Sequence, residues 1–207
     1  MAEIDTPANA RSRRTRAALL ESARQILEKE GADALTMASV TKHAGFTRRA
    51  AYLHFGSRSA LIGALFGYIA DAEGLQESLE RVWSAPDGVA ALDAWAAHLA
   101  DYHPRLLTVD RAIMLARDRD ADAAAHRERV FTAQMRNCRR LAEWLDHDHR
   151  LATGWSVETA TDMLFALISS DLIEALIHDR QWPQERLAEH LALMYRSTFV
   201  GPRPEPD

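Results

Sequence analysis

The sequence has little cysteine and no long apolar run, and each shortage excludes a class of protein. Cys138 is the one cysteine in 207 residues, so no disulfide bond forms within the chain, as is typical of a protein in a reducing compartment. The longest apolar stretch, 60–70, is far shorter than the ~20 residues that cross a bilayer, and the amino terminus has no apolar signal core. We therefore expect a cytoplasmic protein with no membrane partner.

The motifs of the common enzyme classes are also missing. The sequence contains no G-x-S-x-G elbow, no Walker loop, no G-x-G-x-x-G turn and no H-E-x-x-H pair. An all-helical enzyme with scattered catalytic residues stays open at this point. We nevertheless predict that the protein is not an enzyme and has no cofactor.

Metal ligands are poorly arranged as well. The chain has nine histidines, but His98 with His103 and His147 with His149 lack the spacing of three or four residues that puts ligands on one helix face. His147 and His149 fit better as cations near the carboxyl end of a helix. No metal is expected, although metal sensing remains an alternative, as does a redox role for Cys138 in place of a small buried thiol.

What the sequence does have is apolar residues at helical spacing along nearly its whole length, with no strand pattern. We predict an all-α fold. Caps, glycines and prolines place its helices at 15–30, 36–44, 48–55, 57–83, 87–102, 104–117, 122–146, 156–179 and 183–199.

The most informative segment is 36–60, which has the pattern of a helix-turn-helix. Thr36 is a good N-cap for the first helix, and Gly45 can take the left-handed conformation that ends it. We expect Phe46 to drop into the corner as an apolar plug and Thr47 to cap the second, short helix. That helix opens with Arg48-Arg49, at the end that would enter a major groove.

The charge is divided unevenly along the chain. Residues 1–58 hold 10 lysines and arginines against 6 acidic residues, a net +4, whereas the rest hold 15 against 24, a net −9. Arginines 11, 13, 14 and 16 lie where their long side chains can reach phosphates beside the second helix. The plainer interpretation is that this run only solvates a helix terminus; beside a helix-turn-helix we favour DNA binding.

Thr36, Val40, Ala44-Gly45-Phe46-Thr47, Tyr52-Leu53-His54-Phe55, Ser57-Arg58 and Ala60-Leu61 together resemble the DNA-binding head of the TetR/AcrR family of bacterial transcriptional regulators. The resemblance implies double-stranded operator DNA as a partner. Arg58 stands where the family usually has lysine, and Arg49-Ala50 where Gly and Thr are common, so no operator sequence is carried over. The DNA-binding residues we predict are Arg14, Thr36, Thr47, Arg48, Arg49, Tyr52, His54 and Arg58.

The resemblance also implies a division of the chain. It predicts an amino-terminal arm and helix-turn-helix domain over 1–58, a helical effector-binding and dimerisation domain over 59–203, and a tail over 204–207. The implied function is a ligand-responsive regulator, most commonly a repressor that releases its operator when a small apolar or amphipathic molecule binds the helical body. A helical protein-interaction module without DNA binding is the alternative, but it leaves the clustered basic residues unexplained.

The middle helices contain aromatic, methionine and occasional polar residues that can line an effector cavity, although most such positions are core in any helical protein. His98, Tyr102 and Arg111 are the stronger candidates, because they bring polar atoms into apolar stretches. The full predicted ligand set is Trp95, His98, Tyr102, Arg111, Met114, Phe131, Met135 and Phe165.

The last two predicted helices are apolar over more than one face, and a second apolar face needs a partner. The resemblance supplies one, a homodimer in which both helices pair with their copies in a four-helix bundle. Such a dimer would present two recognition helices roughly 34 Å apart, or a multiple of that, to successive major grooves. The predicted dimerisation residues are Leu164, Ile168, Leu172, Leu176, Leu187, Leu191, Met194 and Tyr195.

Overall fold

The computed structural model describes residues 10–118 and 121–202, and these are almost entirely helical. The all-α prediction is confirmed: within the described ranges the only extended pairing is an isolated bridge between Leu151 and Val200. The helices are α1 Ala10–Glu30, α2 Met37–Ala44, α3 Arg48–Phe55, α4 Arg58–Ala72, α5 Leu75–Trp83, α6 Gly88–Ala116, α7 Ala121–His147, α8 Val157–Ala166, α9 Ser170–Glu174, a π-helical turn Ala175–Asp179, and α10 Gln184–Phe199.

Two helices predicted to be continuous are broken. The predicted helix 57–83 divides into α4 and α5 at Gly74, which has a left-handed backbone (φ 76°) that a helix interior does not use. The predicted helix 156–179 divides into α8, α9 and the π-helical turn, because the Ser169 side chain accepts a hydrogen bond from the N–H of Leu172 and starts a new helix. Apolar spacing continues across both breaks, so periodicity did not indicate them.

The opposite error occurs at Pro104, where the prediction of two helices is wrong. Pro104 lies inside the single helix α6, although proline removes one backbone hydrogen bond there. Leu99 and Leu107, on either side of Pro104, are buried in one hydrophobic core. The burial of side chains on both sides of Pro104 therefore stabilises the continuous helix by more than the missing backbone hydrogen bond destabilises it. None of the helices in the described part of the chain is long and apolar enough to span a membrane.

The described chain forms two compact units. The amino-terminal unit contains the described residues up to 72 together with 108–128, and the carboxy-terminal unit contains 73–107 together with the described residues from 129 onward. The proposed functional boundary between residues 58 and 59 stays a prediction, because compactness and function need not divide a chain at the same point. The predicted tail 204–207 lies outside the described residues.

In the amino-terminal unit, α1 packs against α2, α3 and α4. The core between these helices is apolar, and two polar contacts hold its edges. The Arg16 guanidinium lies over the Phe55 ring, 4.9 Å from its centroid, and the Tyr68 hydroxyl donates to the Glu21 carboxylate at 3.1 Å. The side chains that fill this core include Leu19, Ala23, Ile26, Leu27, Leu35, Val40, Phe55, Leu61 and Leu65. The short helix α3 is thus fixed on a packed base.

The carboxy-terminal unit has a core of its own, in which Trp95, Leu141, Tyr195 and Phe199 are among the largest contributors. Cys138 is fully buried in this core, and burial raises the pKa of its thiol to about 12. A thiol in that state is neither exposed nor ionised at neutral pH, the two conditions that make a cysteine reactive. The interpretation of Cys138 as a buried structural thiol is therefore confirmed, and the redox alternative has no support.

Candidate nucleic-acid interface

The first helix of the helix-turn-helix is capped as the sequence predicts. The Thr36 hydroxyl accepts a hydrogen bond from the N–H of Ser39 at 3.0 Å, while the Ser39 hydroxyl accepts one from the N–H of Thr36 at 3.0 Å. At the other end, Gly45 takes the left-handed conformation (φ 71°), and the N–H of Phe46 donates to the Thr41 carbonyl at 2.9 Å. The reversal between α2 and α3 is therefore specified by local hydrogen bonds.

Phe46 does not plug this corner, and that prediction is wrong. Its side chain is 37% exposed. Ala51 and Phe55 of α3 fill the core beside the turn, and Thr41 is also buried, with its hydroxyl donating to the Met37 carbonyl at 2.9 Å. Because those side chains occupy the interior, the phenyl ring of Phe46 is left at the surface.

Helix α3 faces solvent with the residues predicted to contact DNA. The Thr47 hydroxyl accepts a hydrogen bond from the N–H of Ala50 at 3.3 Å and so caps the helix. Arg48 and Arg49, in its first turn, are exposed, and Tyr52 is 51% exposed. These side chains project outward from the unit, which leaves them accessible to a nucleic acid.

His54, near the end of α3, is half-buried. Burial, followed by the positive charge of Arg16, lowers the pKa of His54 below its usual value. Both causes favour the neutral imidazole, which can act as a hydrogen-bond donor or acceptor.

Arg58 has an internal position that sequence reasoning did not anticipate. Its Nε donates to the Leu35 carbonyl at 2.6 Å, and its Nη2 donates to the Ala32 carbonyl at 2.8 Å. The planar guanidinium makes both bonds at once, which a lysine could not do in the same way. Arg58 thus ties the start of α4 to the connection between α1 and α2, and its proposed contact with a phosphate stays a prediction.

The basic residues before α3 belong to a helix that begins earlier than predicted, at Ala10 and not at residue 15. Arg11, Arg13 and Arg14 are exposed on its first turns, and the Arg14 Nε donates to the Ala10 carbonyl at 3.3 Å. Helical backbone therefore fixes the direction in which these three side chains leave the chain, which favours a defined basic surface.

A groove runs between the first turns of α1 and helix α3. Its volume is about 340 Å³, and its lining residues are Arg11, Ser12, Thr15, Phe46, Ala50, Leu53 and His54. Leu53 is 77% exposed and was not among the predicted contacts. The sequence does contain the signal for it, since Leu53 lies two residues from both Ala51 and Phe55, the buried positions of α3.

Sequence comparison assigns these helices to a known family. Residues 19–65 match the family model described as bacterial regulatory proteins, tetR family. This segment of the chain is therefore similar to tetR-family regulators. The match includes the whole of α2 and α3, so it coincides with the helix-turn-helix. No curated protein has a significant sequence match to the chain.

Solved structures extend the likeness of fold over nearly the whole chain. A protein from Saccharomonospora viridis in complex with choline has a TM-score of 0.75 at 11% identity, covering 92% of this chain and 100% of the other. The SmeT–triclosan complex has a TM-score of 0.70 at 18% identity, covering 94% and 100%. NalD, the secondary repressor of the MexAB-OprM multidrug efflux pump in Pseudomonas aeruginosa, has 0.65 at 23%, covering 91% and 98%. Identities this low establish a shared fold alone.

The predicted ligand residues of the chain fall into both compact units. In the carboxy-terminal unit, the rings of Trp95, His98 and Tyr102 follow one another along α6 and are buried, with centroid separations of 5.1 Å and 5.2 Å. Phe131 and Phe165 meet edge to face at 4.8 Å. Met135 is half-buried in the same unit, whereas Arg111, exposed, and Met114, half-buried, belong to the amino-terminal unit. Their ligand role stays a prediction.

His98 is the titratable group at the centre of that aromatic row. Its Nδ1 lies 2.8 Å from the Ser78 hydroxyl oxygen. Burial, followed by the nearby His103 and Arg81, lowers the pKa of His98 to about 3. The row is therefore uncharged at neutral pH. Among the described residues, no group of three or more histidine, cysteine or acidic side chains is placed to hold a metal ion.

The predicted dimerisation residues divide by burial. Leu164, Leu187, Leu191 and Tyr195 are buried in the core of their own unit, so little of their surface is left for a second chain to cover. Ile168, Leu172, Leu176 and Met194 are half-buried. Two side chains outside the prediction are more exposed, Met163 at 42% and Leu193 at 56%.

Proposed function

We propose that this protein is a tetR-family repressor that binds operator DNA as a homodimer and releases it when a small aromatic or amphipathic molecule binds the helical body. The observation that carries the proposal is the outward display of Arg48, Arg49 and Tyr52 from a helix anchored by buried Ala51 and Phe55. Exposed arginines at the start of α1 enlarge the same basic surface. Arginine and tyrosine in this arrangement suit phosphates and base edges.

The buried chemistry of the carboxy-terminal unit supports an uncharged effector. Among the described residues of this unit, the buried polar side chains are Ser78, His98 and Thr161. None of them carries a charge at neutral pH, since burial keeps His98 neutral. The buried polar side chains of this unit include no carboxylate, so a cationic effector such as choline would depend on the faces of Trp95 and Tyr102 for its binding. An uncharged aromatic molecule of the triclosan type, which SmeT binds, needs no such counter-charge.

The dimer is supported by apolar surface on α8, α9 and α10. Leu193 and Met163 are exposed, and Ile168, Leu172 and Met194 are half-buried, so these side chains have area left for a partner to cover. The buried leucines beneath them would hold that surface in shape. Two copies related by a two-fold axis would each present one α3, as a symmetric operator requires.

Footprinting on the DNA upstream of the protein's own gene tests the proposal. We expect the full-length protein to protect two half-sites whose centres are about one helical turn, or a multiple of one turn, apart. Added triclosan should weaken the protection, while choline at the same concentration serves as the matched comparison. Absence of protection would overturn DNA binding, and a single protected half-site would overturn the dimer.

The effector part of the proposal has a separate quantitative check. If triclosan weakens DNA binding by some factor, DNA must weaken triclosan binding by the same factor, because coupling between two sites is reciprocal. Calorimetric titration of triclosan into the protein, with and without the protected duplex, measures that factor. Release by choline but not triclosan would contradict the uncharged effector class while leaving DNA binding intact.

A further inference from the structure

The exposed face of α3 has an apolar centre. A helix turns about 100° per residue, so Leu53 points about 200° away from both Ala51 and Phe55. Those two residues are buried, and Leu53 is 77% exposed. Arg49 lies one turn before Leu53 on the same outward line, with Tyr52 beside it. The residue that projects furthest from the core at this end of the helix is therefore a leucine.

Leu53 belongs to a larger apolar strip. Phe46, 37% exposed, and Ala50 line the same groove, so the turn and the helix present three apolar side chains in succession. Arg11 lies on the opposite wall of this groove, and Arg49 lies next to the strip on α3. An apolar strip with cations on two sides fits a partner that carries small apolar groups within a field of negative charge.

Duplex DNA has those properties in its major groove. Each base-pair edge there presents hydrogen-bonding groups, and the apolar group among them is the 5-methyl of thymine. Phosphates line both sides of the groove and attract the arginines.

We propose that Leu53 and Phe46 recognise the 5-methyl groups of thymines in the operator and so select T over C at the positions they contact. The proposal rests on the proposed function and assigns to these two side chains a part of its base preference. Arg48 and Arg49 supply contacts to guanine or phosphate on either side, whereas Ala50, which cannot donate a side-chain hydrogen bond, leaves the strip apolar.

The test uses a duplex selected by the full-length protein from a random library. Each thymine in that duplex is replaced in turn by deoxyuridine, which lacks only the methyl group, and the dissociation constant is measured each time. We expect two positions in each half-site at which the replacement weakens binding about fourfold, the effect of removing one methyl group from an apolar contact. Leu53→Ala should abolish the effect at one of these positions, and Phe46→Ala at a second.

The controls separate recognition from folding. Leu53 is so exposed that Leu53→Ala should leave the thermal unfolding midpoint unchanged. Leu115, which is 79% exposed on α6, is the matched control, and Leu115→Ala should keep the full sensitivity to deoxyuridine. Phe46→Leu, which retains an apolar side chain, should keep more of the sensitivity than Phe46→Ala.

The outcomes distinguish this proposal from the proposed function. DNA binding with no deoxyuridine-sensitive position would overturn methyl recognition and leave the regulator intact. Sensitivity that persists unchanged in both Leu53→Ala and Phe46→Ala would show that other residues contact the methyl groups, which also overturns it. Failure of the protein to select any duplex would overturn both proposals together.

Discussion

The two compact units of this chain present their chemistry in opposite ways. In the amino-terminal unit, the side chains of interest project from one short helix whose other face, Ala51 and Phe55, is buried. In the carboxy-terminal unit, the corresponding side chains, Trp95, His98 and Tyr102, lie inside the core. A surface site of the first kind depends on a few consecutive residues. A buried site depends on which helices pack around it, and that information is spread along the sequence.

The largest effect that tests this difference is expected from Phe55→Ala. Phe55 is 2% exposed, and removing a buried ring of this kind destabilises a protein by about 3–5 kcal/mol. We expect the loss to fall on the amino-terminal unit. All of the tryptophans lie in the other unit, at positions 83, 95, 144, 155 and 182. In a urea titration, helical circular dichroism should therefore begin to fall before tryptophan fluorescence changes.

The matched control for this titration is Leu115→Ala, which alters an exposed leucine of α6 and should shift neither signal. If Phe55→Ala moved the circular dichroism and fluorescence transitions together to lower urea, the two units would unfold as one. The two units would then differ in which side chains they expose but not in their stability.

A smaller effect is expected from Arg58→Ala. The variant removes two hydrogen bonds from a charged donor to the Leu35 and Ala32 carbonyls. Because Arg58 is only half-buried and water can replace part of what these bonds contribute, we expect the pair together to be worth about 1.5–3 kcal/mol. We expect a lower urea midpoint together with weaker DNA binding, whereas Arg48→Ala should weaken binding alone. Arg58→Lys keeps the positive charge but cannot make both hydrogen bonds at once, so it separates the loss of stability from the loss of a charge that could contact DNA. An unchanged midpoint in Arg58→Ala would show that these internal bonds contribute little.

The smallest effect, when counted per pH unit, concerns the buried imidazole in the other unit. The pKa of His98 is about 3 in the folded protein and near 6.5 when unfolded, so the unfolded chain binds the additional proton between these values. Stability from the neutral imidazole is therefore complete above about pH 6.5 and is lost as the pH falls towards 3, by up to ~1.4 kcal/mol per pH unit. Urea titrations of the wild type and His98→Gln over this range measure it.

The quantity to compare between the two proteins is the slope of the free energy of unfolding against pH, because carboxylates elsewhere titrate in both proteins. His98→Gln should have the shallower pH dependence, since glutamine can still bond to Ser78 but takes up no proton. Equal slopes would mean that His98 binds its proton as readily in the folded chain as in the unfolded one, and burial would then not lower its pKa.

The same contrast explains how much of the molecule the sequence predicts. The helix-turn-helix was predicted nearly residue by residue, because Thr36, Gly45 and Thr47 act through bonds to near neighbours. The burial of particular side chains was less predictable. Phe46 and Leu53 are exposed although they are apolar, since Ala51 and Phe55 already fill the core on that side of α3. Local pattern shows that a helix forms, but not which apolar residues the neighbouring helices leave uncovered.

In the carboxy-terminal unit, the burial of side chains was hard to predict for the same reason. Leu187, Leu191 and Tyr195 recur every four residues along α10, and this spacing is equally suited to a dimer face or to the core of one chain. Packing within the unit buries these three side chains in its core and leaves Leu193 exposed. Pro104 is a similar case, because burial on both sides of it keeps α6 continuous against its local preference.

The most direct test of the account is the salt dependence of binding to duplex DNA by the full-length protein and two double variants. Arg48→Ala with Arg49→Ala removes the arginines of α3, and Arg136→Ala with Arg180→Ala removes two exposed arginines from the other unit as the control. The account predicts that log affinity falls with log salt at about 0.9 per phosphate contact, that the first variant binds about tenfold or more weakly, and that the control binds like the wild type. Equal losses in the two variants, or affinity that does not change with salt, would contradict it.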